Sequence, residues 1–214
     1  MRAPRVPEPS VVRLSVYSHI LENLYRQGVE IVSSGDIAVR AGVGPAQVRK
    51  DLTYFGGFGT RGLGYRVGDL LAETRAILGV DRRWPLIMVG AGKLARALST
   101  YRGFTERNFH IVAVFDNDLT KIGGKIEHLD IHPMEDLPAV VDRYGVVLGI
   151  ITVSPQAAQE TADIMVHNGV LALLNFAPVR LKVPRYVVVQ NVNLSIEVSV
   201  LTFELCHPFV SFLD

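Results

Sequence analysis

The sequence predicts an α/β chain in three parts: a small helical unit with a glycine-rich ribbon, an open parallel sheet wrapped by helices, and one closing apolar helix. Three observations predict it. Residues 11 to 55 place apolar side chains at spacings of three and four, broken by glycines. Residues 84 to 178 alternate short Val, Ile and Leu runs with helical stretches. The C-terminal "LSIEVSVLTFELCHPFVSFLD" is apolar on more than one face. The first pattern belongs to short packed helices, and the second to a parallel sheet covered on both faces.

Each element follows in order. "VVRLSVYSHILENLYRQG" predicts a first helix with Val12, Tyr17, Ile20, Leu21 and Leu24 inside and Gly28 as its left-handed stop. "SSGDIAVRAG" predicts a second, with Ser33 or Ser34 as N-cap, Ile37, Ala38 and Ala41 inside and Gly42 at the end. "VGPAQVRKDLTYFG" predicts a third, with Pro45 in its first turn and Val48, Leu52 and Phe55 inside. A glycine turn between the second and third helices is the helix-turn-helix pattern. "GGFGTRGLGYRV" then predicts a two-stranded ribbon turning near Thr60 to Gly62, and "VGDLLAETRAILG" a fourth helix. The arrangement is a winged helix.

From Trp84 the rhythm becomes strand and helix in turn. "WPLIMVG", "FHIVAVFDND", "VVLGIITV" and "VLALLNFAP" read as strands, with "GKLARALSTY", "MEDLPAVVDRYG" and "PQAAQETADIMVHNG" as the helices between them. This is the Rossmann-like pattern. The boundary falls in "LGVDRRW", giving domains at residues 1–79, 80–193 and 194–214.

A formal charge of +1 over 214 residues gives no global sign of a polyanion partner. Residues 1 to 67 nevertheless hold nine Lys and Arg against five acids, and the remainder is near −3. Any polyanion contact is therefore placed in the N-terminal third. A single cysteine, Cys206, forbids an intramolecular disulfide. With a proline-rich N-terminus lacking an apolar signal core, and no run long enough to span a bilayer, the expectation is a cytoplasmic chain with no membrane partner.

The second helix of such a pair enters the major groove of DNA with its N-terminal portion facing base edges. Gln47, Arg49, Lys50 and Thr53 lie off the apolar face and are the candidates, Gln47 for bidentate pairing with adenine, Arg49 for guanine and Lys50 for phosphate. Arg61 at the ribbon tip is a candidate for a narrow minor groove.

The stretch "IMVGAGKLARAL" offers a second site, with Gly90, Gly92 and Ala95 between a strand and a helix. In this turn, Gly90 to Ala95, with Ala91, Lys93 and Leu94 between, would seat a pyrophosphate. Asp116, twenty-four residues after Gly92, would bind the adenosine ribose and favour NAD(H) over NADP(H). Asn117 and Lys121 follow it. Ligands in open parallel sheets lie across the strand C-termini. Thr152, Val153 and Ser154, and Asn175, Phe176 and Ala177, should therefore flank the nicotinamide half, with Tyr101 nearby.

Catalytic machinery is missing from this pattern. The six histidines are scattered, none paired with an acid in a recognisable catalytic spacing, and no metal set emerges. The residues alone still admit an NAD-dependent dehydrogenase or reductase with an N-terminal assembly domain, or a cofactor-binding module whose ribbon meets an acidic protein.

Taken together, "QVRKDLTYFG", "GTRGLGY", "GAGKLARAL", "FD" and "LNFAPV" resemble the redox-sensing transcriptional repressors of the Rex family, over essentially the full length. The resemblance adds Tyr54 and Tyr65, within the first two motifs, to the DNA-binding candidates. It implies a non-enzymatic cytoplasmic homodimer that exchanges its C-terminal helices. Such a dimer would repress genes from AT-rich inverted repeats in double-stranded operator DNA, leaving it when NADH displaces NAD+. Some members pair an Arg of the first helix with an Asp of the C-terminal segment. His19 and Asn193 match those positions here, so that ion pair is not available.

Overall fold

The computed structural model describes residues 6–59 and 63–207, and the chain divides into two compact units between Arg82 and Arg83. The first unit holds α1 (Glu8–Arg26), β1 (Ile31–Val32), α2 (Ser34–Ala41), α3 (Pro45–Thr53), β2 (Tyr65–Arg66) and α4 (Val67–Ile77). Helix α1 starts earlier than the apolar pattern does, because Pro9 occupies its first turn, where a missing N–H costs nothing. Its buried face runs through Ser10, Leu14, Tyr17, Leu21 and Leu24. Val12, expected inside, is 58% exposed. Two residues from Leu14, it points about 200° away around the helix.

Helix α2 opens with a capping box. Asp36 N donates to Ser33 Oγ at 3.1 Å, and Ser33 N donates to Asp36 Oδ2 at 3.0 Å. It closes at Gly42 in the left-handed conformation. Val48 and Leu52 of α3 are buried against Leu14, Tyr17, Leu21 and Ile37, and Phe55, past the end of α3, packs on the same core.

The ribbon differs from its expected form. Residues 56–59 form no strand, and β2 pairs instead with β1, antiparallel, Ile31 opposite Arg66 and Val32 opposite Tyr65. The β-branched Ile31 and Val32 outcompete the glycine run as a strand partner. Gly64 permits the close approach: its φ is +91°, and a Cβ there would stand 2.6 Å from the Val32 carbonyl oxygen. The expected turn at Thr60 to Gly62, with Arg61, lies outside the described residues, as does the C-terminal helix beyond His207.

The second unit is a seven-stranded sheet. Its strands are β3 (Trp84–Val89), β4 (Phe109–Asp116), β5 (Lys125–Ile126), β6 (Leu129–Pro133), β7 (Leu148–Ile151), β8 (Ala172–Asn175) and β9 (Val188–Asn191), in the order β5-β6-β4-β3-β7-β8-β9. All pairs are parallel except the β5–β6 hairpin at one edge. That hairpin was not foreseen, because only Ile126, Leu129 and Ile131 carry its inward face and no continuous apolar run announces it. Helices α5 (Lys93–Ser99), α6 (Arg102–Thr105), α7 (Leu137–Tyr144) and α8 (Pro155–His167) connect the strands. Ile87, Val89, Phe115 and Ile151 pack on one face with Leu137, Val141, Ala158 and Met165, while Leu86, Met88, Val114 and Ile150 pack on the other with Ala95 and Ile131. Burial on both faces is why "PLIMV" lacks polar alternation.

Chain order runs outward from β3 through β4 to β6 and then returns to β7 on the opposite side of β3. This reversal opens a crevice at the C-terminal ends of β3, β4 and β7. After β9, helix α9 (Leu194–Cys206) buries none of its residues, with Leu194, Ile196, Val198, Leu201, Phe203 and Leu205 all exposed. No helix among the described residues is long and apolar enough to cross a membrane.

Candidate functional site

The two candidate sites lie in separate units. In the first unit, α3 is tied to α1 through Asp51, whose side chain is fully buried. Arg13 donates to it through Nε at 2.6 Å and Nη2 at 2.9 Å, Tyr17 through its hydroxyl at 2.8 Å, and Gln47 through Nε2 at 2.9 Å. Burial alone would raise the Asp51 carboxyl, but hydrogen bonds from Arg13, Ser10, Tyr17 and Gln47 outweigh it and hold the group down at about 2. Burial, with its bond to Asp51, pushes the Tyr17 hydroxyl up. This anchor fixes which face of α3 turns outward.

Arg49, Lys50, Thr53 and Tyr54 are exposed on that outward side. Arg49 Nη1 donates to Ser34 Oγ of α2 at 3.0 Å, and Thr53 Oγ1 donates to the Arg49 carbonyl at 2.7 Å. Arg49, Thr53 and Tyr65 share one open groove with Ser33, Ser34 and Phe58. The helix and the ribbon therefore meet at a common surface, joined by the N-terminus of α2, which the sequence reading missed. Gln47 and Lys50 lie outside the groove, and one hydrogen of the Gln47 amide is committed to Asp51.

In the second unit the crevice is a cleft of about 450 Å³. It gathers Gly90, Ala91, Gly92, Asp116, Asn117, Lys121 and the Thr152 to Ser154 loop. Gly90 has φ +104°, and a Cβ there would stand 2.8 Å from the Thr152 backbone, so the turn requires glycine. Thr152 Oγ1 donates to the Gly90 carbonyl at 2.8 Å, tying the loop after β7 to the turn after β3. Asp116 accepts from Ala91 N at 2.7 Å, Asp118 N at 2.9 Å and Lys121 Nζ at 3.0 Å. Burial would raise the Asp116 carboxyl, yet these donors hold it below its ordinary range, and Lys121 is raised in return by its bond to Asp116.

Other expected residues stand elsewhere. Lys93, Leu94 and Tyr101 do not line the cleft; Tyr101 is exposed and packs edge-on against Phe104 at 5.3 Å. Ala95 is buried, packed among Met88, Val114 and Ile150 of the sheet. Phe176 is partly buried on the same sheet face. Asn175 and Ala177 are buried, and Asn175 is occupied by its own loop and β9. Its Nδ2 donates to the carbonyls of Ala177 and Val179 and to Asn191 Oδ1, and its Oδ1 accepts from Ala177 N. Asn175 thus shapes the "NFAP" loop from beneath. Met134, Ala157, Glu160 and Thr161 also line the cleft and were missed, since one lies in a 3-10 turn before α7 and three on α8, without any motif.

Two histidines do meet acids. His19 Nδ1 lies 3.8 Å from Glu22, itself paired with Arg75 of α4, and His132 Nδ1 lies 3.7 Å from Asp136. Neither histidine lines the cleft. His19 also lies 3.4 Å from Asn23, while Asn193 caps α9 by accepting from Ser195 N and Oγ.

Known proteins match both units. Residues 5–53 match the family described as "Putative DNA-binding protein N-terminus", and residues 81–179 match "CoA binding domain". The redox-sensing transcriptional repressor Rex of Pelotomaculum thermopropionicum is 56% identical over 205 residues, 96% of each chain. Rex 1 of Thermotoga maritima is 41% identical, covering 95% of this chain and 97% of that protein. The crystal structure of RSP with β-NAD+ and operator DNA superposes with a TM-score of 0.90 at 34% identity, covering 96% of this chain and 94% of that one. RSP with β-NADH gives 0.85 at 32% identity, covering 96% of each chain. By its two-unit architecture, its glycine cleft and this identity over nearly its full length, the chain belongs to the Rex family of redox-sensing transcriptional repressors.

Proposed function

We propose that this chain represses transcription by binding double-stranded operator DNA as a homodimer, and that it leaves the operator when NADH occupies the Gly90 cleft. The observation that carries this reading is the pairing, in one chain, of an exposed helix face carrying Arg49 and Lys50 with a glycine cleft closed by Asp116. Its relative RSP holds NAD+ together with operator DNA, and NADH in a second structure.

Arg49, Lys50, Thr53, Tyr54 and Tyr65, with Gln47 beside them, form the DNA surface within residues 1–79, and Arg61 is a further candidate for it. Residues 80–193 form the NAD(H) site. Gly90, Ala91 and Gly92 seat the pyrophosphate, with Lys93, Leu94 and Ala95 following in α5: the turn permits no side chain at Gly90, while a Cβ at Gly92 would meet no protein atom, leaving room for a ligand. Asp116 receives the adenosine ribose hydroxyls, with Asn117 and Lys121 beside it. A phosphate on that ribose, as in NADPH or coenzyme A, would face the carboxylate, so the cleft suits NAD+ and NADH. Thr152, Val153 and Ser154 flank the nicotinamide half, and Asn175, Phe176 and Ala177 shape the neighbouring loop.

The ionisable side chains lining the cleft among the described residues are Asp116, Lys121 and Glu160, and the first two are paired with each other. That pairing supports a site that binds without turning its ligand over. The exposed apolar α9 supports exchange of residues 194–214 between the two copies of a cytoplasmic dimer. In such a dimer the two α3 helices read half-sites about 34 to 36 Å apart. The cationic nicotinamide and its neutral reduced form favour different closures, and by linkage NADH that weakens DNA binding is itself bound less tightly by the DNA complex. The test is an electrophoretic shift with an AT-rich inverted-repeat duplex, alone, with NAD+ and with NADH. The shift is expected without NADH and lost with it. A chain that ignores NADH, or binds no duplex, would refute the proposal.

A further inference from the structure

We propose that Glu160 and Thr161 of α8 seat the edge of the nucleotide base, and that Glu160 selects a 6-aminopurine over a 6-oxopurine. The inference rests on the reading of the Gly90 cleft as the dinucleotide site, and it concerns the part of the ligand which that reading leaves unplaced. Met134, Ala157, Glu160 and Thr161 all line the cleft and have no role in it so far.

Residues 157, 160 and 161 lie three and four positions apart on α8, so they form one stripe, and that stripe faces the cleft. Thr161 is only 6% exposed. A helical threonine commonly returns its hydroxyl to a carbonyl three or four residues back, as Thr53, Thr74 and Thr202 do here. The Thr161 hydroxyl makes no such bond, although no fully enclosed side-chain oxygen among the described residues lacks a partner. Its oxygen therefore opens to space, and the space that Thr161 lines is the cleft. Glu160 beside it is exposed and forms no ion pair among the described residues.

The sheet places this stripe along the ligand. Strands β6, β4 and β3 are neighbours in that order, and Pro133 of β6 is paired with Asp116 of β4. Met134, the next residue, thus lies beyond Asp116 from the Gly90 turn. It packs on the same core as Ala158 and Ala162, the sequence neighbours of Ala157 and Thr161. A ribose held at Asp116, with its phosphate at the Gly90 turn, carries its base away from that turn, toward Met134 and the α8 stripe. The thioether of Met134 and the methyl of Ala157 give the flat face an apolar wall, and Glu160 and Thr161 meet the polar edge.

An ionised carboxylate accepts and cannot donate. Adenine presents an amine at position 6, whereas guanine and hypoxanthine present a carbonyl oxygen. Glu160 accepts from the amine and repels the oxygen. The Thr161 hydroxyl both donates and accepts, so it adds affinity to either base without choosing. The choice falls to Glu160 and is worth one hydrogen bond to a partly solvated charge, a roughly five- to thirtyfold preference.

The experiment measures dissociation constants of the full chain for NADH, for reduced nicotinamide hypoxanthine dinucleotide and for ADP-ribose by titration calorimetry. The unmodified chain should bind NADH roughly five- to thirtyfold more tightly than the hypoxanthine form. Glu160→Gln, whose amide accepts or donates, should bring the two dinucleotides within about threefold of each other while still binding NADH. Glu160→Ala should weaken NADH and ADP-ribose by the same factor, since both carry adenine. Thr161→Val, nearly equal in shape, should weaken both dinucleotides alike, by about threefold. Because Glu160 is exposed, its substitutions leave the core untouched. Equal binding of the two dinucleotides by the unmodified chain, or a preference that survives Glu160→Gln, overturns the selecting role of Glu160. A Glu160→Ala loss confined to NADH, with ADP-ribose unaffected, puts Glu160 at the nicotinamide end and overturns the base seat. Unchanged affinities in Thr161→Val remove Thr161 from it. An unmodified chain that binds none of the three ligands would instead overturn the NAD(H) proposal itself.

Discussion

Replacing Asp51 by asparagine removes one charge from the first unit at nearly constant volume, and the cost can be worked from the structure. Hydrogen bonds from Arg13, Ser10, Tyr17 and Gln47 hold the carboxyl at about 2, against 3.8 for an unperturbed aspartate. At 1.36 kcal/mol for each unit of pKa, the ionised group contributes roughly 2 to 2.5 kcal/mol at neutral pH. Arg13 keeps partial access to water, so leaving it without its carboxylate adds little. We expect Asp51→Asn to lose about 2 to 3 kcal/mol at neutral pH. Because the folded carboxyl lies below its unfolded value, this contribution is complete above about pH 5 and fades as pH falls through about 4 toward 2. The gap between the two proteins must close over that window. Urea unfolding followed by circular dichroism reports both units, while fluorescence of Trp84, at the start of β3, isolates the second. A gap in the first unit that stayed constant from neutral pH to about pH 3 would refute the argument that the buried carboxylate is its source.

Four other outcomes are expected. Alanine at both Arg49 and Lys50, which are exposed on α3, should abolish operator shifts while leaving NADH affinity and melting temperature nearly unchanged; a normal shift would remove them from the interface. Titrations should show NADH binding far more tightly than NADPH, with Asp116→Ala narrowing the difference, and equal affinities in the unmodified protein would falsify the ribose role. Gly90→Ala sets a Cβ against the Thr152 backbone at positive φ and should cost about 1 to 3 kcal/mol, with loss of NADH binding, measured by thermal melts and titration. His19→Ala and Asn193→Ala should each weaken operator binding less than tenfold, since each already has neighbours in its own element, Asn23 and Ser195. Loss of DNA binding by either folded variant would make that pair a switch after all.

What the sequence made legible followed from local chemistry. The Ser33 cap, the Gly42 stop and the buried strand "PLIMV" are written within a few residues of themselves, and all formed as expected. The Gly90 turn and Asp116 were legible because a glycine turn and the acid after the next strand carry a fixed spacing. What escaped depends on partners far along the chain. Asp51 looks like an ordinary helical aspartate until Arg13, thirty-eight residues away, is folded against it. The strand Ile31–Val32 is too short to announce itself, and its partner lies beyond two helices. Val12 was misplaced because it lies about 200° around α1 from Leu14, which carries the buried face there, and the bonds of Asn175 to its own loop were not legible because they depend on how the chain turns after β8.

The clamp between Asp116 and Ala91 bears on response time. The turn after β3 is fastened to the end of β4 at 2.7 Å, and its carbonyl side to Thr152, by the protein's own groups. A ligand entering such a cleft has no loop to order, so the entropy of shaping the site has already been spent in folding. Association is then limited by encounter and orientation, and residence by the strength of the contacts alone. A sensor built this way follows its signal as quickly as the ligand dissociates. Loosening the clamp would lower affinity and also slow the readout, making the protein report an average of the recent past in place of the present state of the nucleotide pool.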